Sequence, residues 1–209
     1  MRGWALVLAL VAAACVGDTS GPFDPVTGGE VAPERFADEV AEATAGLGEL
    51  RLRIEASGGF SLEGEGVVDI GDDTATVRFV LTQNGREKRW EDRYARGEMT
   101  ELDLDDPGEG SRVVDGSGGG PLALPNATSV DEATDLRTAI RASLEVAGLR
   151  TSDVEGSPDA TTCYAAVSND GYRQRIEACV DDGLVLRFMR TVIESSSGGL
   201  IGTMTMRFE

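Results

Sequence analysis

The stretch Leu50-Arg51-Leu52-Arg53-Ile54-Glu55-Ala56 alternates an apolar side chain with a charged one at every step. Side chains of an extended strand point to opposite faces in turn, so this period of two predicts a strand with one buried and one wetted face. Gly58-Gly59 turns the chain and the pattern resumes, with Leu62, Gly64, Gly66, Val68 and Ile70 set against Glu63, Glu65, Val67 and Asp69. After Gly71-Asp72-Asp73, the residues Ala75, Val77, Phe79 and Leu81 form a third apolar face. Asn84-Gly85 suits a tight hairpin, because such a turn needs residues that tolerate positive φ. It leads into an amphipathic strand carrying Lys88, Trp90, Asp92 and Tyr94, and Gly97 turns into a further short strand, Met99 to Leu104. Strands at this spacing, joined by short turns, predict an antiparallel meander.

Before the meander, Pro33 and Glu34 fit the first turn of a helix with Phe36, Val40, Ala43 and Leu47 on one face, ended by Gly46 and Gly48. Beyond it, residues 105–125 read as a Gly/Pro-rich loop containing Gly118-Gly119-Gly120-Pro121. Ser129 and Glu132 form a capping box for a second helix, with Ala133, Leu136, Ile140, Leu144 and Ala147 on one face and Gly148 as its stop. The C-terminal part is extended again. Thr161 to Ser168 and Tyr172 to Val180 flank the turn Asn169-Asp170-Gly171. After Asp181-Asp182-Gly183, Leu184, Leu186 and Phe188 alternate with Val185 and Arg187, and Leu200, Gly202, Met204, Met206 and Phe208 line the last strand.

Composition excludes several function classes. The 209 residues carry 19 Lys and Arg against 37 Asp and Glu, a formal charge of −18. Such a surface repels phosphate backbones, so nucleic-acid binding is excluded. There is no histidine, which removes the commonest general base and every Ser–His or Cys–His nucleophile pair. Only carboxylate chemistry is left. The carboxylates, however, fall mostly at outward strand positions or turns, where they are expected to be solvated rather than poised. Asp103, Asp105, Asp106 and Glu109 fail as a calcium loop, because Pro107 takes a ligand position and Val114 stands where the closing Glu belongs. Residues 116–120 lack the Lys-Ser/Thr of a phosphate loop, and the sequon at Asn126 reads as chance. No metal or cofactor is implied, and the chain is read as non-enzymatic.

At the N-terminus, Arg2 precedes the apolar run Ala5 to Val11 and then Ala12-Ala13-Ala14-Cys15. This is the layout of a secretory signal, and with cysteine directly after the small residues it resembles the lipobox of bacterial lipoproteins. The resemblance implies cleavage before Cys15, diacylglycerol on its sulfur, and a protein anchored by lipid on the extracytoplasmic face of the cell membrane. Ala12 stands where lipoboxes most often carry Leu, and an ordinary secretory cleavage near Ala14 is the alternative. With Cys15 so used, Cys163 and Cys179 are left as a pair in an oxidising compartment, read as a structural disulfide. Residues 1–14 are then a signal peptide, 15–30 a lipidated flexible tether and 31–209 a single domain.

The order helix, meander, long loop, helix, disulfide-stapled meander, set behind the motif ending at Cys15, resembles the LolA/LppX/LprG-like half-barrel lipoproteins. The segment Cys163-Tyr164, with Cys179-Val180-Asp181-Asp182-Gly183-Leu184-Val185-Leu186-Arg187, is similar to a feature of actinobacterial relatives. The resemblance implies an α+β fold in which a strongly curved antiparallel sheet, a half-barrel, wraps two main helices. It also implies that acyl chains can be carried between sheet and helices. Leu52, Ile54, Val68, Val77, Phe79, Leu186, Phe188, Met204 and Met206 are then the candidate ligand-binding residues, for a lipid or another apolar molecule. The same residues could equally fill a closed core under the helices. Inward Gly64, Gly66 and Gly202 predict either a bend in the sheet or space left beneath it. A closed half-barrel that docks a partner protein is the alternative function.

Overall fold

The computed structural model describes residues 29, 31–96, 98–114, 135–168, 173–195 and 199–209. The alternating stretch becomes β1 (Glu49–Ser57), with Leu50, Leu52 and Ile54 buried and its arginines and glutamates exposed. Then come β2 (Ser61–Asp69), β3 (Thr74–Gln83), β4 (Arg86–Ala95) and β5 (Glu98–Asp103), each antiparallel to the one before. Asn84 and Gly85 both take positive φ, as the hairpin between β3 and β4 requires.

Part of the expected loop is ordered structure. A 3-10 turn, Pro107–Glu109, leads into β6 (Ser111–Val114), which pairs with β5. The four residues Ser-Arg-Val-Val do not alternate, so no period announces this strand. Residues 115–125, with their glycine run, lie outside the described residues.

The second meander runs through β7 (Arg150–Thr151), β8 (Thr162–Ser168), β9 (Arg173–Val180), β10 (Leu186–Glu194) and β11 (Leu200–Phe208). Its strands are antiparallel throughout, and β11 pairs with β1. The two meanders thus share one eleven-stranded sheet, joined where its first and last strands meet. Glu209 and Arg51 exchange both backbone hydrogen bonds there, at 2.9 and 2.8 Å. The strand order begins at β6 and ends at β7. The sheet is therefore open, a curved half-barrel in an α+β fold.

Two helices, α1 (Pro33–Ala45) and α2 (Leu136–Leu144), pack together against the inner face. Helix α1 buries Phe36, Ala37, Val40, Ala41, Thr44 and Ala45. Its buried stripe is rotated from the expected one, and Leu47 lies beyond the helix end, half-exposed. Helix α2 buries Leu136, Ala139, Ile140, Ser143 and Leu144 and stops before Ala147. The cap observed is Asp135, whose side chain accepts from the Thr138 N–H at 2.7 Å. Ser129 and Glu132 lie outside the described residues. Neither helix is long and apolar enough to cross a membrane, and the same holds for all described residues.

Buried polar contacts fix the helices at one end of the sheet. Thr44 Oγ1 donates to the Val40 carbonyl at 2.6 Å and accepts from the Leu186 N–H at 3.0 Å, clasping α1 to the start of β10. Asp73 accepts from the Leu136 N–H at 2.9 Å and from the Tyr94 hydroxyl at 3.3 Å, tying α2 to the start of β3 and the end of β4. Because neighbouring strands are antiparallel, these points all lie at the same end of the sheet.

Candidate functional site

The inner face carries most of the residues expected to meet a ligand. Leu52, Ile54, Val68, Val77, Phe79, Leu186 and Met206 are buried in one cluster with both helices, and Met204 packs partly buried against it. Burial grades along the strands. Leu52, Val68, Val77 and Leu186, near the end held by the helices, are 0 % exposed, whereas toward the other end Ala56, Phe60, Leu81 and Met204 are only partly covered, around a buried Leu62.

Phe188 is placed elsewhere. The alternation Leu184, Leu186, Phe188 puts it on the same face as Leu186, but the pairing of β10 with β9 slips between the two: Leu186 faces Val180 and Phe188 faces Cys179. The extra residue reverses the face, as a bulge does. Phe188 therefore packs with Val154, Cys163 and Cys179 on the outer side. The guanidinium of Arg207 sits 5.1 Å and that of Arg190 5.7 Å from its ring centre. Cys163 and Cys179 are directly opposite in β8 and β9 and form a disulfide. Tyr164 and Ala166 of β8 and Ala178 of β9 take the inner face.

Two of the three inward glycines, Gly64 and Gly66, do not leave open space. A Cβ at Gly64 would lie 2.7 Å from Phe79 Cε1 and 3.3 Å from Ile54 Cβ, so the Phe79 ring fills the place a side chain would take. A Cβ at Gly66 would overlap the Thr76 carbonyl oxygen and come within 2.7 Å of Val77 Cα. There β3 itself presses on β2, which fits a bend in the sheet.

One feature of this face is absent from the sequence reading. Asp92 faces Val77 on one side and Glu101 on the other, and Glu101 in turn faces Arg112, so a polar row crosses β4, β5 and β6. Asp92 is 0 % exposed and Glu101 is buried. Glu101 is ion-paired to Arg112. The Trp90 indole Nε1–H donates to Asp92 Oδ2 at 3.3 Å, while Asp92 Oδ1 has no hydrogen-bond partner among the described residues. Burial pushes the Asp92 carboxyl up to about 7; the Trp90 hydrogen bond opposes this and the Glu101 charge adds to it.

The expectation that the carboxylates are solvated is thus corrected at five of the described positions, since Glu91, Glu177 and Glu194 are buried as well. Glu91 and Glu177 lie under paired arginines. Glu91 accepts from Arg78 and Arg93, each at 2.7 Å, and the Arg78 hydrogen bond leads in holding its carboxyl below the usual range. Glu177 accepts from Arg175 at 2.7 Å and Arg190 at 2.6 Å. For Asp92 a signal did exist: it shares its period-two face with Trp90 and Tyr94, both buried.

The acidic cluster near Asp105 is a structural turn. Asp105 accepts from the backbone N–H and the Nε–H of Arg89, both at 2.8 Å, and Asp103 Oδ1 accepts from the N–H groups of Asp105 and Asp106 at 2.9 and 3.2 Å. Between α1 and α2 lies a shallow groove of about 700 Å³. Arg137 meets Glu42 across it at 2.9 Å and Arg141 meets Asp38 at 2.7 Å. Cys15, the signal and nearly all of the tether fall outside the described residues.

No protein-family model and no curated protein matches this chain. Among solved structures it is similar to the crystal structure of LprF from Mycobacterium bovis, at 13 % sequence identity and a TM-score of 0.44, over 85 % of this chain and 91 % of that one.

Proposed function

We propose that this is an exported cell-envelope lipoprotein, held to the membrane by a lipid on Cys15, that binds a hydrophobic ligand against the inner face of its half-barrel and catalyses no reaction. The observation that carries the reading is the burial gradient. The helices seal one end of an open, apolar-lined sheet, while Phe60, Leu81 and Met204 at the other end are left partly uncovered. Apolar surface of that kind gains about 25 cal/mol per Å² on being covered, and an acyl chain laid along the strands would cover it. The mechanism is passive: shelter from water supplies the affinity, and nothing in the site needs to react.

A second reading, a closed-core module that docks a partner protein, is favoured by the filled space above Gly64 and by the charged groove between the helices. Uptake of the fluorescent apolar probe N-phenyl-1-naphthylamine separates the two. The carrier reading predicts saturable binding that is lost in Leu81→Arg/Met204→Arg. Absence of uptake by the folded wild-type protein would leave the docking module. Replacing Cys15 with Ser should move the protein from the membrane to the soluble fraction; retention on the membrane would contradict the anchor.

A further inference from the structure

The inner wall of β3 and β4 is apolar at Val77, Phe79 and Trp90, yet Asp92 stands in its midst, fully buried. Folded proteins seldom leave a buried polar atom unpaired, because the hydrogen bonds it loses to water are not replaced. The neighbouring groups do not serve Asp92 Oδ1. Glu101 is met by Arg112, the Trp90 N–H goes to Oδ2, and the Tyr94 hydroxyl donates to Asp73. Glu101 is ion-paired to Arg112, so its carboxylate is already engaged on the side away from Asp92.

We propose that Asp92 Oδ1 is the polar anchor of the ligand site and hydrogen-bonds a hydroxyl group carried by an otherwise apolar molecule. This rests on the hydrophobic-ligand reading and adds a chemical class to it. A hydroxyl both donates and accepts, so it satisfies Asp92 as carboxylate or as carboxylic acid; an ether oxygen only accepts. Both forms are populated near neutral pH, given the raised proton affinity of this group. The contact would fix the depth of the molecule in the half-barrel, while its hydrocarbon runs along the strands toward Leu81 and Met204.

Trp90 reports on the site directly. It is one of two tryptophans, and the other, Trp4, belongs to the segment read as a cleaved signal. The mature protein, purified after export, is titrated with hexadecan-1-ol and with hexadecyl methyl ether while Trp90 emission is followed. The alcohol should bind about tenfold more tightly than the ether, as expected for one buried hydrogen bond to an ionisable group. Asp92→Leu should bring the two within about twofold, and Asp92→Asn, which can still donate and accept, should keep part of the preference. Equal binding of both probes by the wild type, a comparison that needs no variant, would overturn the proposal, leave the hydrophobic-ligand reading standing and assign Oδ1 to a buried water. If neither probe binds, that reading falls and the anchor with it.

Discussion

At Asp92 the folded chain holds a proton more tightly than the unfolded chain, with the carboxyl raised from 3.8 to about 7. Well below pH 3.8 the group is neutral in both states and contributes nothing to pH dependence. As pH rises from about 4 to 7 the unfolded chain gives up its proton while the folded one keeps it, so this group lowers stability across that window and levels off above it. At ~1.4 kcal/mol per pH unit the full cost is on the order of 4 kcal/mol. Asp92→Asn should therefore gain on the wild type by an amount that grows from pH 4 to pH 7, read from urea unfolding at a series of pH values. A difference that stays constant with pH would show that Asp92 ionises alike in both states. The residue was partly legible in the sequence, because parity with Trp90 and Tyr94 puts it on the inner face. Periodicity gives the face but not the partner, and it is the missing partner of Oδ1 that makes Asp92 a candidate site.

Among the elements, strands with strict alternation were legible and those without it were not. β1, β2 and β3 follow directly from their period, and the cysteine count places the β8–β9 pair and its bridge. β6 and the two-residue β7 carry too few residues for a period to show. Phe188 shows the commonest failure: one inserted residue in β10 moves its side chain from the ligand face to the disulfide side. The glycines needed the fold to be understood, because a sequence does not reveal whether a neighbour fills the gap. Gly64→Ala should cost about 1–3 kcal/mol by driving its methyl group into the Phe79 ring. The double variant Gly64→Ala/Phe79→Leu should recover part of that loss, measured as coupling in a double-mutant cycle. Strictly additive losses would mean that the ring does not occupy the space above Gly64.

For the whole molecule, the fold class follows from two meanders separated by a helix. Their union along β1 and β11 does not, since pairing between segments so distant in sequence leaves no local pattern. That union opens the half-barrel at β6 and β7 rather than at the chain ends, and it sets the inner face of both halves under one pair of helices. The proposed tether then needs only to connect Cys15 with α1, whose approach runs beside β7: the Val31 N–H donates to the Leu149 carbonyl at 3.0 Å and the Thr151 N–H to the Gly29 carbonyl at 3.3 Å. Whether the inner face shelters an apolar ligand can be read by native mass spectrometry of the protein purified from its own membranes. A carrier should show a non-covalent adduct above the mass of the lipidated chain, removed by organic extraction and identifiable in the extract. A spectrum showing only the lipidated chain, unchanged by extraction, would mean that the inner face carries no ligand.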